Sequence, residues 1–589
     1  MFKKLIQSLG LKKKRREEMA QESPQELPRE VTKPVWDWVP GVDWDPEVDL
    51  KQVSSWFLDG THSIPAWTPM FAWFWNKYCR PTYGNVALST PCCYGWDMRH
   101  YHGHDYPAFL IVRDPEEIKR REVKFREALR PYLEDFDGIW QRQIEEMLAM
   151  YKPLREFDYD KGTNLEIIER FYDTVSMYRK MWYNHFTCQD AIYSCWVLLD
   201  RLCRERFGIG DTSPEFQKLM VGFDNKVFQI NKRLWQFGQD ARKRGLADIF
   251  LNNEPRAVIP KLEQSEAGRE WLKELREWLW EDGWRIDRPA EINVPTWIED
   301  PTPAIQGIKG FLAKGGDFDL DATRERLAKE REEAVAAFMQ RVPEEEREWF
   351  EALIRLSQKC SYWAEEHDHY LDLYAHALIR RCCLGIGKRL AQAGTIDQAE
   401  DVFFLIPDEI ERVMMVPECH DLRFIVNRRR KEWEEWLKED PPPVFTTRAN
   451  IMEAVGMDII PSADGIALKV IVGEMPEVKP ELKADLYGLP GAPGVVEGPA
   501  RVVMSYEQMG EVKPGEILIA PTTGPSWTPV FGIIKAAVVD RGGMLSHACI
   551  VGREHGIPAV INTFEGTKKI TTGQRIRVDG TEGTVHILG

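Results

Sequence analysis

Apolar positions recur differently in three parts of the chain. From about residue 115 to 250, and again from 320 to 440, they return every three or four residues, as at Phe125, Leu129 and Leu133 and then Met147, Met150 and Leu154. That spacing places one apolar stripe along a helix, so both stretches predict a helical body. From Trp36 to about residue 110 no period holds, and the sequence is dense in aromatics and turn formers, as in GTHSIPAWTPMFAWFWNKYC. Pro441, Pro442 and Pro443 cannot continue the helix that ends KEWEEWLK. After them, short runs of Val and Ile alternate with Gly and Pro turns: ARVVMS, GEILIAP, AAVVD, PAVIN, QRIRVDG and GTVHIL. These read as strands, interrupted by one helix, SHACIVGREHG.

The pattern predicts a multidomain α+β protein: a mobile basic and Pro/Glu-rich arm over 1–34, a large mainly α-helical domain over 35–440, a linker over 441–484 and a C-terminal β/β/α domain over 485–589. A chain of 589 residues has room for several domains and is too long for a single small module. Its 43% hydrophobic and 29% charged residues suffice to bury cores, which excludes global disorder. With 94 acidic against 78 basic side chains the net charge is −16, which repels phosphate backbones, so no nucleic-acid partner is expected. The eleven cysteines include no CxxC pair and fit neither a zinc site nor a complete disulfide framework. No apolar run is long enough for an integral membrane span, and the stretch near Leu5 lacks the length and cleavage site of a signal peptide, so the expected location is cytoplasmic. Lys3, Lys4, Lys12, Lys13, Lys14, Arg15 and Arg16 form a terminal basic patch that reads as a solvated tail or as a weak docking element.

The strongest chemical signal is DRGGMLSHACIVGREHGIPAVIN. A strand ending at Asp540 enters a Gly542-Gly543 turn, and His547 then opens a helix closed by Gly556 and Pro558. Amide hydrogens and the positive end of the dipole at a helix start suit a phosphoryl group, and they keep imidazole neutral, its nucleophilic form. Ala548 and Gly552 allow the helix to approach the sheet closely, and Arg553 can fold back as a phosphate clamp. His555 suits the negative end of the same helix as a cap.

At these residues the chain resembles the swivelling phosphohistidine domain of phosphoenolpyruvate synthase, pyruvate phosphate dikinase and rifampin phosphotransferase. The likeness covers about 485–589: GLPGAPGVVEGPARVV is similar to the first strand, APTTGPSWTPVF to the threonine-rich loop and GGMLSHACIVGREHGIPAV to the phosphoacceptor motif. It implies that His547 carries the phosphoryl group, held by Gly542, Gly543, Ser546, Arg553 and the loop residues Thr522, Thr523, Ser526 and Trp527. Met544 departs from the threonine of several dikinases.

Such a domain is a carrier and needs a site that loads it and one that unloads it. Residues 35–480 contain no Gly-rich nucleotide loop followed by Lys and paired carboxylates, and no phosphoenolpyruvate/pyruvate barrel is expected after Gly589. Loading is therefore expected from a separate ATP-grasp subunit, and pyruvate is not the expected acceptor. The segment from Glu365 to Ile410, with EDVFFL in it, resembles the helical substrate domain of the rifampin phosphotransferase type. A helical domain and carrier on one chain resemble the phenylphosphate synthase alpha-subunit family. That implies a heteromer in which ATP is used on the partner and a phenol is phosphorylated here, with Mg2+ or Mn2+ compensating charge through unassigned ligands that lie partly on the partner. The alternatives are another hydroxylated small molecule as acceptor, or a regulatory phosphocarrier.

For the acceptor, Trp67, Phe71, Trp73, Phe74 and Trp75 offer planar apolar walls, or simply core. His100, His102 and His104 would share one face if extended, giving a base, a metal site or ordinary histidines. His367 and His369 with Arg380 and Arg381 make a second candidate, or a polar helix face.

Overall fold

The computed structural model describes residues 55–79, 82, 93–111, 114–286, 288, 290–313, 315, 319–446, 476–524 and 527–588. The expected arm with its basic patch, residues 447–475 of the expected linker, and Ser526 lie outside them. The chain divides into two compact units, each discontinuous in sequence: Met1–Ser194 with Ala290–Asn293 and Tyr370–Ile466, and Cys195–Pro289 with Val294–His369 and Ala467–Gly589. The helical body read over 35–440 is thus shared between them, because its helices pack around more than one core.

In the first unit, β1 (Ser55–Phe57) is followed by a hairpin of β2 (Cys93–Tyr101) and β3 (His104–Ile111). β4 (Val444–Thr446) pairs antiparallel with β1, so the first residues after the triple proline form a strand. Trp56, Leu58 and Tyr106 bury the inner side of these strands. Long helices follow, Pro115–Glu156 and Asn164–Phe207, the second passing into the other unit's residues. The first begins where predicted: Asp114 accepts from the Glu116 amide at 3.0 Å and Pro115 takes the first turn, where no amide donor is needed. Tyr374–Gln392 and Arg423–Trp436 complete the unit.

The second unit contains helices Lys226–Lys243 and Glu266–Asp282, capped by Asn225 on the Phe228 amide (2.8 Å) and Ser265 on the Gly268 amide (3.0 Å). Their stripes, Ile230, Leu234 and Phe237 and then Trp271, Leu275 and Leu279, pack with Ile305, Ile308 and Leu312 of helix Thr302–Ala313. Helix Arg347–His367 lies in the same unit.

Its C-terminal part is an eight-stranded mixed sheet: β5 (Leu486–Tyr487), β6 (Leu489–Ala492), β7 (Val495–Val502), β8 (Ile517–Ala520), β9 (Ala536–Val539), β10 (Ala559–Ile561), β11 (Arg575–Asp579) and β12 (Thr584–Ile587), in the order β5-β12-β11-β7-β8-β9-β10-β6. β7 to β10 run parallel and the outer pairs antiparallel. β8 and β9 are buried at every position, which explains their unbroken apolar sequence. Ile517, Ile519, Ala536 and Val538 face one core. Leu518, Ala520, Ala537 and Val539 face another, with Met544, Ala548 and Cys549 of the His547 turn and helix. The mainly helical chain with a C-terminal mixed-sheet domain is the architecture the sequence predicts.

Candidate active site

Helix His547–His555 lies between β9 and β10 in sequence and ends on Gly556, left-handed at φ 63°. A Cβ at Gly552 would meet Ala492 Cβ at 3.2 Å and Ile557 O at 3.2 Å, so the close approach expected of Gly552 is real. Gly542 has φ +129°, and a Cβ there would lie 2.9 Å from Ser546 Oγ. A side chain at 542 would therefore be strained, while the Gly543 carbonyl accepts from the Ser546 amide at 3.0 Å.

His547 is 8% exposed. Its Nδ1 lies 3.2 Å from Thr523 Oγ1 and its Nε2 3.0 Å from Thr528 Oγ1, and Phe531 packs edge-on at 5.6 Å. Both ring nitrogens are thus partnered by hydroxyls, an arrangement suited to neutral imidazole. Burial, the positive charge of Arg285 and His555 lower its pKa to about 3. Thr522 is half-buried on the same loop, and Ser546 makes no side-chain cap to the helix.

Arg553 is buried and donates to Gly491 O (3.2 Å) and Met544 O (3.1 Å). In this arrangement its guanidinium braces the diglycine turn against β6. Arg285 is the cation that acts on His547. It is buried, lies over Trp297 at 4.4 Å, and is fixed by backbone bonds from its amide to Gly283 O and from the Trp297 amide to its carbonyl. Arg285 also bears on His369 and Glu365, lowering the pKa of each against different backgrounds. His369 is pushed well below its usual range by burial, then by Lys226 and Arg285. Glu365 is raised to about 8 by burial and by Glu554, with Arg285 opposing. Glu554 is raised to about 7, chiefly by desolvation, and accepts from the Gly222 amide with both oxygens, at 3.0 and 2.9 Å.

A narrow cleft with room for about 50 Å3 of solvent is lined by Phe223, Phe228, Glu365, Thr528, Glu554 and His555, among others. Thr528 thus faces both His547 Nε2 and the cleft. Arg285, Glu365 and Thr528 were not singled out from sequence. For Glu365 a signal was present: Ser357, Ser361 and Glu365 recur at four-residue spacing on buried positions of helix Arg347–His367, where apolar residues are the rule.

The other expected residues are in the first unit, except His367 and His369. Trp67 is 1% exposed, donates to His62 O at 2.9 Å and packs on Phe71, Trp75 and His100. The condition that His100, His102 and His104 be extended together is not met. His102 (φ 48°) and Gly103 form the hairpin turn, so the three do not share a strand face. His100 lies 3.5 Å from Asp105, and burial and His104 lower its pKa to about 3. His104 Nδ1 is 2.6 Å from Ser63 O, while His102 pairs with Glu439 and stacks on Tyr101. Arg380 donates to Ile292 O at 3.1 Å and lies over Phe403.

Residues 187–365 match the family "Rifampicin phosphotransferase fourth domain" and residues 512–583 the family "PEP-utilising enzyme, mobile domain". The first match lies upstream of the Glu365–Ile410 segment in which the resemblance was read; the second contains His547. The chain is 28% identical over 608 residues to chondramide synthase cmdD of Chondromyces crocatus, covering 99% of this chain and 15% of that protein. It is 27% identical over 446 residues to the uncharacterized phosphotransferase YvkC of Bacillus subtilis (strain 168), covering 75% and 51%. With the rifampicin phosphotransferase of the same bacterium it shares 29% identity over 337 residues, covering 56% and 36%. The chain spans about half or less of the length of these relatives. It is therefore similar to rifampicin phosphotransferase and related phosphotransferases, and the segment that carries His547 is similar to the mobile domain of PEP-utilising enzymes.

Proposed function

We propose that this chain is a phosphotransferase that receives a phosphoryl group on His547 Nε2 from a separate ATP-grasp subunit and passes it to a phenolic hydroxyl. The observation that carries the reading is the neutral, buried His547 held at a helix start between Thr523 and Thr528. With Nδ1–H donating to Thr523 Oγ1, the lone pair is on Nε2, the side toward Thr528 and the cleft. Thr528 turns its hydroxyl away as the phosphoryl group arrives. The amides at the helix start and the charge of Arg285 then stabilise the phosphoryl oxygens, while Arg553 keeps the diglycine turn in place and adds its own positive charge. Thr522 and Ser546 border the same turn and supply further hydroxyl donors.

Mg2+ and Mn2+ are held by oxygen ligands, usually one or two ionised carboxylates together with water and phosphate oxygens. Glu554, beside the cleft, accepts from the Gly222 amide with both carboxylate oxygens, and burial raises it to about 7 and Glu365 to about 8, so neither offers a ready ligand to a resident dication. The transfer here takes no step through a metal, and ATP with its metal belongs to the loading subunit.

The phenolic acceptor rests on the sequence resemblance. A second reading, transfer to another hydroxylated small molecule, is favoured by the match of residues 187–365. Exchange of label between free phenol and phenyl phosphate, catalysed by this chain without ATP, tests the first reading. Exchange that disappears in His547→Ala supports it. No exchange, together with labelling of His547 by a protein phosphodonor, would leave another hydroxylated acceptor or a phosphocarrier instead.

A further inference from the structure

Glu365 is 2% exposed on the helix Arg347–His367, and its Oε2 has no hydrogen-bond partner among the described residues. A buried carboxylate oxygen without a donor is costly unless something other than the resting protein supplies one. Its neighbour Glu366 shows the ordinary solution: one oxygen accepts from the Lys226 amide at 2.6 Å. Glu554 likewise spends both oxygens on the Gly222 amide. Glu365 is left facing the cleft that Thr528 also lines, and Thr528 Oγ1 lies 3.0 Å from His547 Nε2.

We infer that Glu365 is the proton acceptor for the attacking hydroxyl, binding it in the cleft in line with a phosphoryl group on His547 Nε2. This rests on the phosphotransfer reading and deepens it. The acceptor O–H proton passes to the Glu365 carboxylate as the new O–P bond forms. The N–P bond breaks, its electron pair returns to Nε2, and the ring, protonated on Nδ1 against Thr523, leaves as neutral imidazole. In reverse, protonated Glu365 gives its proton to the departing aryl oxygen. Burial, then the charge of Glu554 from the His547 helix, with Arg285 opposing, holds the proton affinity of Glu365 between those of an exposed carboxyl and a phenol. The cleft is narrow, which suits a hydroxyl entering edge-on.

The test uses the intact chain, Glu365→Gln and Glu365→Asp, and the reverse reaction. Loading of His547 from phenyl phosphate needs a proton for the leaving oxygen, whereas loading from 4-nitrophenyl phosphate does not. Glu365→Gln should slow the first by about 100-fold or more, the usual range for loss of a general acid, and the second by less than about threefold. Glu365→Asp should recover part of the loss. If no aryl phosphate loads even the native chain, the phenolic reading fails while this one is still decided by water, the one hydroxyl acceptor always present. His547 phosphorylated with phosphoramidate should then lose its label more slowly in Glu365→Gln than in the native chain. Equal losses with both aryl phosphates, or native rates of loading and hydrolysis in Glu365→Gln, would overturn the inference.

Discussion

Thr528 holds its hydroxyl 3.0 Å from Nε2 of His547, while Thr523 holds Nδ1 on the other side of the ring at 3.2 Å. The two threonines have opposite consequences. Thr523→Val removes the acceptor that fixes the tautomer with its lone pair on Nε2, and should slow phosphorylation of His547 by phosphoramidate about fivefold to tenfold, the value of one hydrogen bond. Thr528→Val removes a donor that competes for that lone pair and should not slow it. Rates of label incorporation compare the two; a slower Thr528→Val with an unchanged Thr523→Val would reverse the assignment of the nitrogens.

Arg285 lowers the pKa of His547 in addition to the larger effect of burial. Arg285→Met should raise it, while burial keeps it below the ordinary value of 6.5. NMR titration of the imidazole reads this directly. The same variant should load more slowly from a dianionic donor, because the buried counter-charge is gone.

The β/β/α domain was legible in the sequence because each element carries a local signal: unbroken apolar runs for strands buried on both faces, a diglycine turn, and a helix closed by glycine and proline. His547, Thr523 and Gly542 were legible for the same reason, since all lie within two short motifs. Arg285 and Glu365 were not, because Arg285 stands in the irregular stretch after helix Glu266–Asp282 and Glu365 on helix Arg347–His367, both remote from His547 in sequence, and they join the site only through tertiary packing. The histidine trio was misread because His102-Gly103 takes the hairpin turn, where alternation across a strand no longer applies. The helical body read as one domain because helical periodicity reports which face is buried, not which core receives it.

Glu365 gives the second unit a distinctive pH dependence. Its folded pKa is raised from 4.5 to about 8, so the folded state binds the proton more tightly than the unfolded chain. The contribution is fully present below about pH 4.5 and is lost as pH rises toward 8. Glu365→Gln cannot ionise and should gain stability relative to the native chain between about pH 5.5 and 8.5. Urea midpoints at the two pH values check this, and parallel movement of both proteins would contradict it.

Gly542→Ala should destabilise the turn by about 1–3 kcal/mol, since it combines φ +129° with a Cβ 2.9 Å from Ser546 Oγ. It should also slow His547 loading by displacing the helix start. A variant with a native urea midpoint and native loading would show that the turn tolerates a side chain.

The central claim is that His547 Nε2 carries the phosphoryl group. Treatment of the intact chain with phosphoramidate, followed by 31P NMR and peptide mapping under alkaline conditions, measures it directly. The account predicts one acid-labile, base-stable phosphoryl group per chain, on Nε2 of His547, absent from His547→Ala while labelled reagent still meets a folded protein by circular dichroism. A phosphoryl group on another residue, or one retained in the folded His547→Ala variant, would contradict it.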